Sequence, residues 1–347
     1  MSRRPRGSYD ESDVRIRPSR RGSRPRTKDR PDFSDAVTGR VVAVDRGRWR
    51  TVIDAGTDAE RSVTAVRARA LGRSPIVPGD VVGMTGDTSG RTDTLARIVR
   101  IDERSSFLRR SADDDDSTER PLVANATQMV IVTALADPEP RGGMIDRCLV
   151  AAYVAGIRPL LCLTKSDLKD PSDFLTTYAP LGVEYVVTHR EADGSIAGLD
   201  ELRQRLGGET SVLIGHSGVG KSTLINALVP GTDRATGHVN DVTGRGRHTS
   251  SSALALQLPG GGWVIDTPGV RSFGLGHVTP EELLGAFADL AALEENCPRG
   301  CTHAEDAPDC AMDALVEQGA AGPAGPARLA SFRRLDDALR KNNPWDL

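Results

Sequence analysis

Aromatic residues are scarce in this sequence: three Trp, four Tyr and six Phe among 347 residues, or 4%. Any core must therefore be built mainly from Val, Leu, Ile and Ala. No apolar run approaches the ~20 residues that a membrane-spanning helix needs. The first residues contain no apolar stretch of secretory-signal type. They are rich in Arg and Ser, as organellar transit peptides are, but Asp10, Glu11 and Asp13 argue against one, because such peptides avoid acids. A cytoplasmic location, away from any membrane, is expected. Cysteine is limited to five residues, and Cys297, Cys301 and Cys310 crowd into one segment with His303. In a cytosolic chain that clustering suggests metal binding before disulfides. Cys148 and Cys162 lie in apolar segments and read as core.

The length suggests two or three domains. The content of 38% hydrophobic and 27% charged residues is ordinary for a globular protein. The net charge of −3 conceals an asymmetry. Residues 1–30 carry eleven Arg or Lys against four Asp or Glu, a local charge of +7 on an otherwise acidic chain. This tail, residues 1–35, has no hydrophobic period and is expected to be disordered. A basic tail suggests a polyanionic partner, most simply RNA, or else only a solubilising role.

Residues 36–104 are expected to be all-β. Val37–Val44, Trp49–Asp54, Ser62–Arg69, Val81–Met84 and Leu95–Ile101 are short strands separated by Gly and Asp turns. Five such strands fit an OB-fold barrel, with an SH3-like barrel as the alternative. Asp113 to Asp116 form an acidic run best read as a solvated linker. From about residue 120 to 277 the pattern turns α/β. Met129–Ala134, Pro159–Leu163, Val183–Thr188 and Ser211–Ile214 are candidate strands. Helices are expected at Ile145–Gly156, Leu199–Leu206 and from Lys221, and a hairpin at Ala253–Leu258 and Trp263–Ile265. This alternation predicts a doubly wound parallel sheet. Residues 278–347 look helical, with one helix at Glu281–Leu293, a linker at Gly319–Ala327 and a helix at Arg328–Lys341.

Gly215-His216-Ser217-Gly218-Val219-Gly220-Lys221-Ser222, followed by Thr223, matches the G-x-x-x-x-G-K-[ST] phosphate loop in full. An apolar strand precedes it and a helix follows. Its glycines let backbone N–H groups converge on phosphate oxygens, and the helix N-terminus favours the anion. Lys221 is expected to reach the β- and γ-phosphates, and the Ser222 hydroxyl to ligate Mg²⁺. Asp266-Thr-Pro-Gly269 lies forty-four residues beyond Ser222, after a second apolar strand. Its carboxylate could hold Mg²⁺ through water, and the Gly269 N–H could sense the γ-phosphate. Thr164-Lys165-Ser166-Asp167 matches an [N/T]-K-x-D element, whose Asp accepts two hydrogen bonds from guanine but finds no such pair on adenine. It precedes the phosphate loop by about fifty residues, the reverse of the usual order. The same site closes if the sheet is circularly permuted.

On these motifs the chain resembles the RsgA (YjeQ) family of bacterial small-subunit-dependent GTPases. The likeness covers about residues 36–340 and includes Gly246-Arg-His248-Thr249-Ser250 and the Cys/His cluster. It implies an OB-fold, a permuted P-loop GTPase domain and a C-terminal zinc domain. It also implies hydrolysis of GTP to GDP late in small-subunit maturation, with the small ribosomal subunit and its rRNA as partners. One structural zinc on Cys297, Cys301, His303 and Cys310 is implied, with Mg²⁺ accompanying GTP and a monomeric chain. Thr249 or Ser250 would complete the Mg²⁺ shell. Three features depart from the pattern. Thr164 replaces the commoner Asn. Thr188-His189-Arg190 stands where Ser-Ala is usual in the element facing guanine O6. The spacing C-x₃-C-x-H-x₆-C shifts one residue between gaps. Val270 stands where many GTPases carry a water-orienting Gln, which leaves His248 as the candidate to orient the attacking water, or else to contact rRNA. An RNA-bound checkpoint in which hydrolysis is incidental, and a P-loop ATPase or kinase, are the rival readings.

Deleting residues 1–34 should weaken binding to small-subunit rRNA and flatten its dependence on salt, because fewer counterions are released. The slope of log affinity against log salt is the measurement, and an unchanged slope would make the tail a bystander.

Overall fold

The computed structural model describes residues 33–111, 119–231, 253–267, 275 and 278–340. The Arg-rich stretch to residue 32, Asp113 to Asp116, His248, Thr249, Ser250, Gly269, Val270 and Lys341 lie outside the described residues. Five strands come first: β1 (Val37–Asp45), β2 (Arg48–Ile53), β3 (Arg61–Arg67), β4 (Val81–Gly86) and β5 (Ala96–Ile101). They run in the order β1-β2-β3-β5-β4, and β4 returns to pair with β1, which closes the barrel. The β3–β5 pairing is parallel and the others are antiparallel. This is the five-stranded closed barrel of OB type. Val41, Trp49, Ile53, Val63, Val82, Met84 and Ile98 fill its interior.

The barrel's exit is pinned by a buried ion pair. The Arg104 guanidinium donates to both oxygens of the fully buried Asp80, at 2.7 and 2.9 Å, and lies over the Phe107 ring. The adjoining turn needs glycine: Gly79 has φ +93°, and a Cβ there would lie 1.9 Å from the Ala124 carbonyl oxygen. A hairpin absent from the sequence reading follows, β6 (Phe107–Ser111) and β7 (Glu119–Ala124).

The α/β region contributes β8 (Gln128–Ala134), α1 (Gly142–Val154), β9 (Arg158–Thr164), α2 (Ser172–Tyr178), β10 (Glu184–Val187), the short pair β11 (His189–Arg190) and β12 (Ile196–Ala197), α3 (Leu199–Leu206), β13 (Thr210–Ile214), α4 (Lys221–Leu228), β14 (Leu254–Gln257) and β15 (Trp263–Asp266). Strands β10-β9-β8-β13-β15 are parallel neighbours in that order, and β14 runs antiparallel beside β15. All seven residues of β8 and all five of β13 are buried, because a parallel sheet is covered on both faces. Alternate side chains divide between two cores: Met129 and Ile131 enter one, Val130 and Val132 the other. At the far edge Ala43 of β1 pairs with Leu254 of β14, so barrel and α/β sheet form one eleven-stranded sheet.

Four further helices, α5 (Pro280–Gly285), α6 (Ala288–Ala291), α7 (Met312–Glu317) and α8 (Gly325–Arg340), complete the described chain. The single helix expected over Glu281–Leu293 is broken in two. A Thr279 capping box starts it, and the chain turns out of helix at Phe287. The Phe287 ring is thereby buried edge-on between Tyr153 and Phe332, with centroids 5.9 and 5.6 Å away. Burial of a whole aromatic side chain outweighs the few helical bonds forfeited, and Gly285 is a poor helix former in any case. The linker expected at Gly319–Ala327 is also shorter than the sequence suggests, because α8 already begins at Gly325 and Pro326 is tolerated in a first turn. Leu329, Phe332, Leu335 and Leu339 are buried along one face of α8, as the periodicity predicts. They share one core with α1 of the α/β region. Among the described residues no helix is long and apolar enough to cross a membrane.

Phe287→Ala should lower the free energy of unfolding by about 3–5 kcal/mol, since the ring links α1, α6 and α8. Chemical denaturation monitors this, and a loss below ~1 kcal/mol would show that the helices are anchored elsewhere.

Candidate functional site

Within the described residues, the motifs expected to bind nucleotide lie at the carboxyl edge of the parallel strands. The 215–222 loop follows β13, Thr164–Asp167 ends β9, Thr188 and His189 follow β10, and Asp266 ends β15. This edge is where open α/β sheets bind ligands. The permuted chain order does not disturb it, because β9 and β13 are separated in space only by β8.

The 215–222 loop runs from the end of β13 into α4. Gly218 and Gly220 adopt φ of +84° and +94°, a region open to glycine at little cost. Gly215 is constrained differently: a Cβ there would lie 2.5 Å from the Val132 carbonyl oxygen of β8. Val219 is buried and anchors the loop, while Ser217 is exposed, and His216, Ser222 and Thr223 are half-buried. Lys221 Nζ donates to Asp266 Oδ1 at 2.6 Å, and both side chains are nearly buried. This pair joins the start of α4 to the end of β15. Such a loop, with a cation and a helix N-terminus, can hold phosphate oxygens.

Two threonine hydroxyls fasten the edge from either side. Thr164 Oγ1 donates to the Val219 carbonyl at 2.7 Å, which ties the Thr-Lys-Ser-Asp turn to the glycine-rich loop. The hydroxyl thus makes an inter-loop contact, even though Thr replaces the commoner Asn. Thr267 Oγ1 donates to the Leu213 carbonyl at 2.7 Å and ties the end of β15 to β13. Thr267 was not singled out from the sequence, although it lies inside the Asp-Thr-Pro-Gly element. Asp137 was missed too: its carbonyl accepts from Lys165 Nζ. Nothing in the local sequence around Asp137 signals that contact. Asp167 is exposed at the mouth of the site. Thr188 is buried, with its N–H on the Leu163 carbonyl at 2.7 Å. His189 Nδ1 lies 3.1 Å from Ser166 Oγ.

Away from this edge, Cys297, Cys301, His303 and Cys310 bring one ligand atom each to within 4.8 Å of one another. Cys297 Sγ and Cys310 Sγ are 4.0 Å apart, and Cys310 Sγ lies 3.8 Å from His303 Nδ1. Ligands bonded at ~2.0–2.3 Å in a tetrahedron stand ~3.5–3.8 Å apart, so this set could hold a zinc ion. His303 reaches it from a left-handed turn, φ +55°, whose carbonyl accepts from Arg333 Nε at 2.9 Å. Arg333 in turn is fixed to Asp313 and holds that carboxyl below the usual range. Burial, with the neighbouring thiols, pushes Cys310 up to about 11. A bound cation would reverse that preference, since the thiolate is the ligand.

The profile of the RsgA GTPase family matches residues 101–276. A curated relative from Pseudomonas aeruginosa (strain LESB58), named small ribosomal subunit biogenesis GTPase RsgA, is 40% identical over 267 residues, which is 75% of each chain. A relative of the same name from Ectopseudomonas mendocina (strain ymp) is 42% identical over 276 residues, covering 77% of this chain and 76% of that one. Among solved structures, YjeQ from Thermotoga maritima superposes with a TM-score of 0.63 at 25% identity, over 87% of this chain and 98% of that one. YloQ, described as a circularly permuted GTPase, superposes with a TM-score of 0.62 at 23% identity, over 91% and 99%. This last likeness concerns the fold.

Freshly purified, reduced protein is expected to contain one zinc per chain by metal analysis, and strong chelation should lower its thermal midpoint. Cys301→Ser should do the same without chelator. A metal-free preparation of undiminished stability would remove zinc from the account.

Proposed function

This chain belongs to the RsgA GTPase family, and on that premise we propose that it hydrolyses GTP to GDP and phosphate as a late small-subunit maturation factor, stimulated by the small ribosomal subunit. The observation that carries the site assignment is the convergence of four separated segments, from β9, β10, β13 and β15, on one sheet edge. In this reading the backbone of residues 215–223 cradles the phosphates. Lys221 balances charge on the β- and γ-phosphates as the terminal bond breaks. Asp167 accepts the N1–H and 2-amino donors of guanine, with the Thr188–His189 backbone on the O6 side. Ser222 and Asp266, with Thr249, would hold Mg²⁺, which neutralises developing phosphate charge. Gly269 would donate its N–H to the γ-phosphate. Catalysis rests on positioning and charge rather than covalent chemistry.

Val270 cannot hydrogen-bond a water, so another group must orient the nucleophile. His248 takes that role: a neutral imidazole nitrogen can accept a hydrogen bond from water near pH 7. Contact of rRNA with the segment that carries it, Gly246–Ser250, would make hydrolysis dependent on the subunit. The Arg-rich tail and the barrel are proposed to hold the chain on rRNA. Zinc on the Cys/His set is structural, since four protein ligands leave no open position. The chain works as a cytoplasmic monomer. The absence of a Gln at Val270 also favours a second reading, a nucleotide-state checkpoint on RNA whose hydrolysis is incidental.

Turnover with and without purified small subunits separates the two readings, since a checkpoint with incidental hydrolysis shows no stimulation. His248→Ala should lower stimulated turnover ~10²-fold while GTP and subunit affinities hold. A fall only in proportion to lost subunit binding would make His248 an rRNA contact.

A further inference from the structure

The turn that carries Asp167 is strained; it is closed by the Leu168 N–H on the Lys165 carbonyl at 3.0 Å and braced from outside by side chains. Lys165, a non-glycine residue, has φ +59°, which persists only where the surroundings impose it. The Ser166 N–H reaches the Thr188 carbonyl at a long 3.4 Å. The side chain of Ser166 makes a shorter contact, with His189 Nδ1 at 3.1 Å, and His189 Nε2 lies 3.2 Å from Glu191 Oε1. An ionised carboxylate only accepts, so Nε2 carries the proton. Nδ1 of the neutral ring is then the acceptor, and the Ser166 hydroxyl donates to it.

The base of this chain of contacts is itself anchored. The Glu191 N–H donates to the Ser195 carbonyl at 2.9 Å, and β11 pairs with β12 through His189–Ala197 and Arg190–Ile196. Gly198, at φ +78°, closes the hairpin against the Val187 carbonyl, so close that a Cβ would stand 2.1 Å from that oxygen. Glu191 is half-exposed and His189 about one-third exposed, which sets their order of importance: the solvated outer contact is the weaker one. A Ser–His–Glu order also builds acyl-transfer nucleophiles. Here the serine instead lies within the turn that carries Asp167.

We propose that Ser166, His189 and Glu191 form a positioning relay that holds the Lys165–Asp167 turn in its strained conformation, so that His189 and Glu191 set guanine affinity through Ser166. The proposal rests on the reading of Asp167 as the guanine reader. Glu191 acts through His189, and His189 through Ser166. An alanine at position 189 could make neither contact.

Calorimetry on the full chain with GDP, ADP and xanthosine diphosphate tests this. Ser166→Ala and His189→Ala should each weaken GDP binding ~10-fold while leaving the weak ADP binding alone, and the double variant should lose no more than either single one. Glu191→Ala should cost ~3-fold. His189→Asn, which keeps a polar group near the Nδ1 position, should recover most of the GDP affinity. Equal losses for GDP and ADP, additive losses in the double variant, or wild-type GDP affinity throughout would each overturn the relay. Asp167→Asn is the control, and should exchange GDP for xanthosine diphosphate preference. If that exchange occurs and the relay variants bind GDP normally, the relay alone fails. If Asp167→Asn keeps its GDP preference, the guanine-reader assignment fails and the relay with it.

Discussion

The hydrogen bond from the Thr164 hydroxyl to the Val219 carbonyl is the contact on which the proposed nucleotide site depends. It joins the end of β9 to the glycine-rich loop after β13, two segments that the permuted chain visits in inverted order. Both are short and polar, and neither has enough apolar surface to fix its own shape. Val219 supplies a buried anchor on one side and the Thr164 side chain is buried on the other, so the bond forms away from water, where leaving either group unpaired is costly. Thr267 repeats the arrangement across β13, its hydroxyl on the Leu213 carbonyl. One hydroxyl thus holds the glycine-rich loop itself, the other holds the strand that leads into it, and Lys221–Asp266 closes the triangle.

The same sheet connects the site to the rest of the chain. β14 follows the Gly246–Ser250 segment in sequence and runs antiparallel to β15, which ends in Asp266. On its other side β14 meets β1 of the barrel at Ala43. Arg40 of β1 lies over the Trp263 ring of β15, 5.5 Å from its centroid, and burial lowers its pKa from the usual value. The barrel and the α/β sheet are therefore bonded neighbours rather than modules on a tether. The C-terminal helices are joined to the α/β region more firmly still, through one apolar core that includes Ile145, Leu149, Phe287 and Phe332.

Much of this was legible because the signals are local. The strands Gln128–Ala134 and Thr210–Ile214 are legible from their apolar stretches, Met129–Val132 and Val212–Ile214, because a parallel strand is covered on both faces. The phosphate loop is legible because only glycine takes the φ values at 218 and 220 without strain. The Cys/His cluster is legible from ligand chemistry and spacing. Where the reading failed, long-range packing had intervened. The helix over Glu281–Leu293 breaks because Phe287 finds Tyr153 and Phe332, neither of them near it in sequence. The hairpin β6–β7 was missed because the acidic run between its strands reads as a linker. Asp137 was missed because its contribution is a backbone carbonyl, which every residue possesses.

The sequence by itself determined which chemical groups the chain carries and their local conformational needs: the glycines, the lysine, the carboxylates and the thiols. It also determined the elements that carry them, since those follow from periodicity over a few residues. Tertiary structure alone decided which of these groups meet. The approach of β9 to β13, the Thr164–Val219 bond, the Ser166–His189–Glu191 contacts and the joining of barrel to sheet at Ala43 all depend on strand order. Strand order is set by how the two cores pack on either face, a sum over many residues that no short window of sequence contains.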